Sequence, residues 1–432
     1  MRLGGRAQAA IEVLDDIDDR HRPASLALRD WGLSHRFAGS GDRAAIGNLV
    51  YDSLRRRASQ RWRMDSDDNG DLVCATLLGQ WGYAADELAG EFAADPHAPP
   101  PPSTDRLAAW RSRDLAAAPD HVRADVPHWC AGQLAASFGA GWVGEAQAFA
   151  CRPPLDLRVN TLKASRDKVL RALARFHARP TDHSPVGVRI APGTRGARLP
   201  NVQAEAGYQK GWFEVQDEGS QIAALATGAR PGEQVLDYCA GAGGKTLALS
   251  ALMENRGQVH AHDADRMRLA PIHERLRRAG ARNVQVVAPD AEMAVHTVRM
   301  DCVLVDAPCT GSGVWRRHPD AKWRLDEAAL AARLREQDAV LAGAAAFVRP
   351  GGRLVYVTCS VFAAENAERV AAFVARQTEF RLAAPGSLPA AACAIAQTGS
   401  GSESMVTLSP ASTGTDGFFL AMLERAGGAS SG

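Results

Sequence analysis

The sequence predicts an α/β protein: a mostly parallel sheet with helices on both faces, preceded by an all-helical region and a small α/β segment. Three observations carry this reading. Beyond residue 213, short apolar runs alternate with helical patterns, the signature of parallel strands joined by crossover helices. Before residue 150 the apolar residues recur only at helical spacing. Between Leu155 and Trp212 two alternating runs flank one helical stretch. The expected domains are therefore 1–150, 151–212 and 213–432, within a chain of 432 residues.

In the first region Ala7 to Ile17 reads as a short amphipathic helix. Asp42 to Leu54 places Ile46, Leu49, Val50 and Leu54 at helical spacing, with Asp42 as the expected N-cap. Asp71 to Leu78 and Ala84 to Phe92 repeat the pattern, and the run Pro96 to Pro102 breaks it with an exposed polyproline-like loop. In the second region LDLRVNTLK from Leu155 and VGVRIAP from Val186 read as strands, with a helix from Lys168 to His177 between them. In the third, strands are expected at Gln234–Tyr238, Val259–His262, Val284–Val287, Cys302–Val305, Arg353–Thr358 and Gly417–Leu423. Helices are expected after the Gly-rich turn and at Asp265–Ala279, Ala328–Val348 and Ala363–Arg376. The stretch Thr398–Ser404 and the tail from Gly427 read as flexible.

Composition narrows the class. The hydrophobic fraction of 46% and charged fraction of 23% suit a globular enzyme, and the net charge of +1 excludes a polycation. Basic residues do cluster locally: Arg55, Arg56, Arg57, Arg61 and Arg63 form a candidate phosphate-binding run. The eight cysteines are scattered without a C-x-x-C pair, so neither a disulfide framework nor a zinc site is expected. No apolar signal core or 18-residue apolar stretch occurs, so the expectation is a cytoplasmic protein with reduced thiols, no metal and no membrane contact.

Three motifs carry chemistry. The first is VLDYCAGAGGKT, Val235–Thr246, where a strand meets a Gly-rich turn that opens a helix. Glycines there let backbone approach a ligand, and the helix N-terminus offers free N–H groups. Asp263, about 20 residues on and at the end of the next strand, is where a ribose-binding carboxylate belongs. Cys239 occupies the position of the first P-loop glycine and Thr246 that of the third dinucleotide-fold glycine, so both of those ligand classes are disfavoured. S-adenosyl-L-methionine, which has no pyrophosphate, tolerates the looser turn. Asp290, after the third strand, is a candidate for the adenine edge. The second motif, VLVDAPCTGSG from Val303, delivers Asp306 and Cys309 at a strand end. The third, LVYVTCS from Leu354, delivers Cys359. Two thiols beside a methyl donor suit methylation of cytosine at C5. A thiolate adds to C6 and makes C5 nucleophilic; nearby positive charge, such as Lys245, favours the thiolate. Asp306 is suited to hydrogen-bonding the base, and the base must leave its stack to reach the site.

With these motifs in order, the sequence resembles the Sun-type RNA cytosine-C5 methyltransferases, which carry D-x-C-A-A-P-G-G-K-T, D-A-P-C-S-G-x-G and T-C-S. RVNTLK at Arg158, QDEGSQ at Gln216, HPDAKW at His318, ENAE at Glu365 and TDGFF at Thr415 extend the resemblance across most of the chain beyond Leu155. It implies a Rossmann-like class I methyltransferase core, Cys359 as nucleophile and Cys309 assisting release. It also implies a cofactor site lined by Cys239, Ala240, Gly241, Ala242, Gly243, Gly244, Lys245, Asp263, Asp290 and Asp306. HPDAKW and DRAAIGNLVYDSLRRR at Asp42 are similar to the bacterial small-subunit (16S) ribosomal RNA branch. That branch has an N-terminal domain like the antitermination factor NusB and an RNA-recognition-like subdomain before the core. It implies an RNA partner; nothing in the sequence requires a dimer, so a monomer is expected. The chain departs from the family where Ala242 replaces Pro and Gly241 replaces Ala, which loosens the turn. Asp290 is followed by Ala. Two other readings stay open: a DNA cytosine-C5 methyltransferase, in which Cys309 would be the nucleophile and Cys359 would have no role, and a non-catalytic RNA-binding assembly factor.

Overall fold

The computed structural model describes residues 1–289, 297–384 and 404–427. Asp290, Cys393 and most of the two stretches expected to be flexible lie outside these residues. The chain forms two compact units. One comprises residues 1–153, 192–199 and 314–326; the other comprises 154–191, 200–313 and 327–432. No helix among the described residues is long and apolar enough to cross a membrane.

The first unit is helical. Helices Leu3–Arg20, Ser40–Arg55 and Asn69–Gly79 face one another through a shared apolar core. Ile46, Leu49, Val50 and Leu54 are fully buried there, as their spacing requires. Each such side chain contributes about 1.5–3 kcal/mol on removal from water. Asp42 is not the N-cap: that helix starts after Gly39, and the Asp42 carboxylate reaches back to accept the Gly39 N–H at 3.3 Å. In the proline-rich loop Pro99 is buried, while Pro96, Pro100 and Pro101 are exposed.

The HPDAKW stretch belongs to this unit and forms the short helix Pro319–Arg324, with proline at its first position. The Lys322 ammonium donates to the Arg55 carbonyl at 2.8 Å, and the Trp323 indole N–H donates to the Leu54 carbonyl at 2.7 Å. These are terminal carbonyls of helix Ser40–Arg55, which lack intrahelical partners and sit at the negative end of the helix dipole. Burial pushes the Lys322 pKa down to about 8.

This packing engages four of the five arginines of the expected phosphate-binding run. Arg55 is buried, donating to Asp52 at 2.8 Å and to the Arg316 carbonyl at 2.9 Å. Arg57 is bidentate on Asp18, Arg61 donates to Asn69, and Arg63 lies 3.5 Å from the ring centre of Trp110. Arg55, Arg57, Arg61 and Arg63 thus hold contacts within this unit.

The second unit holds two sheets. The smaller is antiparallel, in the order β2-β3-β1-β4, with β1 (Leu155–Val159), β2 (Arg179–Pro180), β3 (Gly187–Ile190) and β4 (Phe213–Val215). A buried Arg189 bridges Asp156 at 2.7 Å and Glu218 at 3.3 Å, tying this sheet to the start of the next helix. The larger sheet runs β10-β12-β9-β8-β5-β6-β7 with β11 beside β12. Its strands are β5 (Gln234–Asp237), β6 (Gln258–His262), β7 (Val284–Val287), β8 (Met300–Asp306), β9 (Val348–Thr358), β10 (Phe380–Leu382), β11 (Met405–Leu408) and β12 (Phe418–Arg425). Strands β5 to β9 are parallel; β10, β11 and β12 join antiparallel. Successive strands spread outward from β5, β6 and β7 to one side, β8 and β9 to the other. The reversal point between β5 and β8 is where such sheets bind ligands. The single helix expected over Asp265–Ala279 is two, Arg266–Leu269 and Ile272–Ala279, because Pro271 lacks an N–H and cannot continue a helix.

Candidate active site

The carboxyl ends of β5, β8 and β9 bring the three motifs together. After Asp237 the chain turns through Cys239–Gly243 and enters helix Gly244–Leu252. Gly241 and Gly243 have φ of +49° and +80°, a region that suits glycine. A Cβ on Gly243 would stand 2.5 Å from Ile272 Cγ1, so close packing also demands glycine there. The turn is pinned by the Ala240 N–H donating to the His262 carbonyl at 2.8 Å, and by the Gly241 N–H donating to the Asp263 carboxylate at 2.8 Å. Asp263 is buried at the end of β6 and faces the Gly-rich turn, as its spacing predicts.

Asp237 was not singled out from sequence. It is fully buried, and Thr246 Oγ1 donates to one carboxylate oxygen at 2.7 Å. The other oxygen has no partner among the described residues. Burial pushes this carboxyl up to about 7. Between its ordinary range near 4 and that value the folded state holds a proton that the unfolded state has released. Stability of the ligand-free protein should therefore fall as pH rises from about 4 to 7. Melting curves of Asp237→Asn across that window should lack this component; an unchanged slope would contradict the assignment.

Lys245, at the start of the helix, is buried and pairs with Asp306 at 2.6 Å. Burial opposes its charge, but Asp306 more than offsets that and holds the ammonium above its usual range; the Cys359 sulfur adds to the effect. Cys309 Sγ lies 3.4 Å from Cys359 Sγ. The contact with Cys359, then burial, holds the Cys309 thiol well above the ordinary cysteine range. Cys239 is also pushed up, by burial and then by the surrounding carboxylates, and this makes it a poor nucleophile.

Glu365 organises the loops that carry the two cysteines. Its carboxylate accepts the Thr310 N–H at 2.8 Å, the Thr310 and Ser360 hydroxyls, and the Gln337 amide at 2.9 Å. Thr310 follows Cys309 and Ser360 follows Cys359, so one fully buried carboxylate ties both loops. Gln337 also donates to the Pro308 carbonyl at 2.9 Å. The Gly313 N–H donates to the Cys359 carbonyl at 2.9 Å and its carbonyl accepts the Gly417 N–H at 2.8 Å. A Cβ on Gly313 would fall 2.0 Å from the Gly417 oxygen. The TDGFF segment thus backs the cysteine loops. The ENAE glutamate carried no chemical signal by itself; only the fold brings it between the loops.

Family profiles match two stretches of the chain. One described as 16S rRNA methyltransferase RsmB/F covers residues 224–424, and one described as the RsmF/B-like ferredoxin-like domain covers 126–195. The ribosomal RNA small subunit methyltransferase B of Sodalis glossinidius is 33% identical over 314 residues, covering 70% of this chain and 67% of that protein. The chain belongs to the RsmB/F methyltransferase family. Another RsmB/F relative, the probable small subunit methyltransferase B of Synechocystis, is 34% identical over 286 residues. The match spans 63% of this chain and 60% of that protein's length. Solved structures share the fold. PH0851 superposes with a TM-score of 0.72 at 23% identity, covering 98% of this chain and all of that one. NSun6 from Pyrococcus horikoshii, solved with SFG, does so at 0.59 and 22%, covering 69% of this chain and 98% of that one. The Rossmann-like core expected from sequence is therefore present.

Proposed function

We propose that this RsmB/F-family chain transfers a methyl group from S-adenosyl-L-methionine to C5 of a cytosine in RNA, with 16S ribosomal RNA as substrate. Cys359 is the nucleophile. The observation that carries the reading is the 3.4 Å pairing of Cys309 and Cys359 beside the Lys245–Asp306 ion pair. The residues present fit the cofactor. The glycine turn leaves backbone open to a ligand, Asp263 faces that turn, and Asp237 keeps one buried acceptor unused. Bound there, the cofactor supplies an electrophilic methyl group.

The chain's own residues do the rest. The buried Lys245 ammonium favours negative charge on the Cys359 sulfur. The thiolate adds to C6 of the flipped cytosine, and the ring electrons collect at C5. Asp306, oriented by Lys245, accepts a hydrogen bond from the cytosine amino group. After methylation a water molecule acting as base takes the C5 proton, the C–H electrons re-form the C5–C6 double bond, and the C6–sulfur bond breaks with its electron pair going to Cys359. Cys309, still protonated, gives its S–H hydrogen bond to the leaving Cys359 sulfur and so assists release.

The relatives' names, the RsmB/F profile and the absence of any role for Cys359 in a DNA-type scheme favour RNA. Incubating the protein with a 16S ribosomal RNA transcript and the cofactor, followed by nucleoside analysis, tests this. The expected product is 5-methylcytidine. Methylation of duplex DNA instead would favour the other nucleic acid, and a protein that binds RNA without methylating it would be an assembly factor.

A further inference from the structure

Four of the five arginines of the expected run hold internal contacts, whereas a second cluster of cations lacks acidic partners. Beside the ferredoxin-like sheet Trp212 is half-buried, immediately before β4. The Lys168 ammonium lies 4.0 Å and the Lys210 ammonium 5.6 Å from its ring centre. Lys163 is exposed and is anchored by carbonyls, those of Arg278 at 2.7 Å and Lys210 at 3.4 Å, not by acids. None of the three lysines has an ion-pair partner among the described residues. The neighbouring carboxylates are engaged elsewhere: Glu214 is buried with Arg275 and Arg278, and Glu205 pairs with Arg175. Asp167, beside Lys168, is the one exposed acid of that turn. Arg278 also covers the half-buried Tyr208 ring at 4.2 Å.

Unneutralised ammonium groups around an aromatic ring match single-stranded nucleic acid. The lysines meet successive phosphates and the indole offers a face or edge to a base. Duplex has no unstacked base to offer the ring, and an acidic peptide would not use it. We infer that Lys163, Lys168, Lys210 and Trp212 form a binding surface for a single-stranded segment of the substrate RNA. This inference rests on the RNA reading above. The surface is sequence-tolerant, because every base has a π face and the lysines contact only backbone.

The test measures affinity of the full-length protein for a 16S ribosomal RNA transcript at several salt concentrations. The variants are the triple K163A/K168A/K210A, Trp212→Ala and Trp212→Phe. The triple variant should lose roughly two units from the slope of log affinity against log salt, at about 0.7 per single-strand phosphate contact. Trp212→Ala should weaken binding about 5- to 100-fold, and Trp212→Phe should restore most of it. Cofactor binding, measured by calorimetry, should stay at the wild-type value in all three. A triple variant with the wild-type salt slope and a folded cofactor site would overturn the surface while leaving the RNA reading intact. Wild-type protein that binds no RNA would overturn both.

Discussion

Replacing Cys359 by Ser is expected to abolish methyl transfer, by at least about 10³-fold in kcat, while cofactor affinity stays near wild type. The hydroxyl cannot ionise at neutral pH, and the Lys245 ammonium that favours a thiolate cannot bring a serine into range. The loop itself should persist, because its hold runs through the Cys359 carbonyl and Ser360, not through the sulfur. Single-turnover assays with 16S ribosomal RNA check the rate, and calorimetry checks the cofactor. Substantial activity in Cys359→Ser would move the nucleophile to Cys309.

The second large effect is expected at Glu365. Its carboxylate takes four donors from three segments, and two of those segments carry the cysteines. In Glu365→Gln one oxygen becomes an NH2 group, which opposes donors already pointing at it. Each buried donor left unmet costs about 1–3 kcal/mol. The loops must then shift, and a displacement near 1 Å at a reacting group costs about 10²-fold in rate. The expected result is a kcat near one hundredth of wild type with little change in the cofactor dissociation constant. Glu365 touches neither sulfur, so it acts by positioning. If Glu365→Gln lowers the melting temperature but leaves kcat intact, the bracket only stabilises the fold.

Legibility in the sequence followed physical cause. The parallel strands were readable because each is an apolar run ending in turn residues, and Asp263, Asp306, Cys309 and Cys359 follow from where those runs stop. Helix Ser40–Arg55 was readable from its buried face. What periodicity cannot carry was lost. The break at Pro271 sits inside a pattern that otherwise continues. Arg55 and Arg57 look like surface cations until Asp52 and Asp18, which pair with them, are brought near. The HPDAKW helix caps carbonyls about 270 positions away. The unused oxygen of Asp237 and the four donors on Glu365 likewise exist only in three dimensions, because those donors come from three separate segments.

The most direct test of covalent attack by Cys359 uses Cys309→Ala protein. It would be incubated with a 16S ribosomal RNA transcript and S-adenosyl-L-methionine and resolved on a denaturing gel. With release impaired, a slow-migrating protein–RNA band is expected, and it should vanish when Cys359 is also replaced. A band that survives loss of Cys359, or no band from a preparation whose wild-type control methylates the RNA, would contradict the assigned roles of the two cysteines.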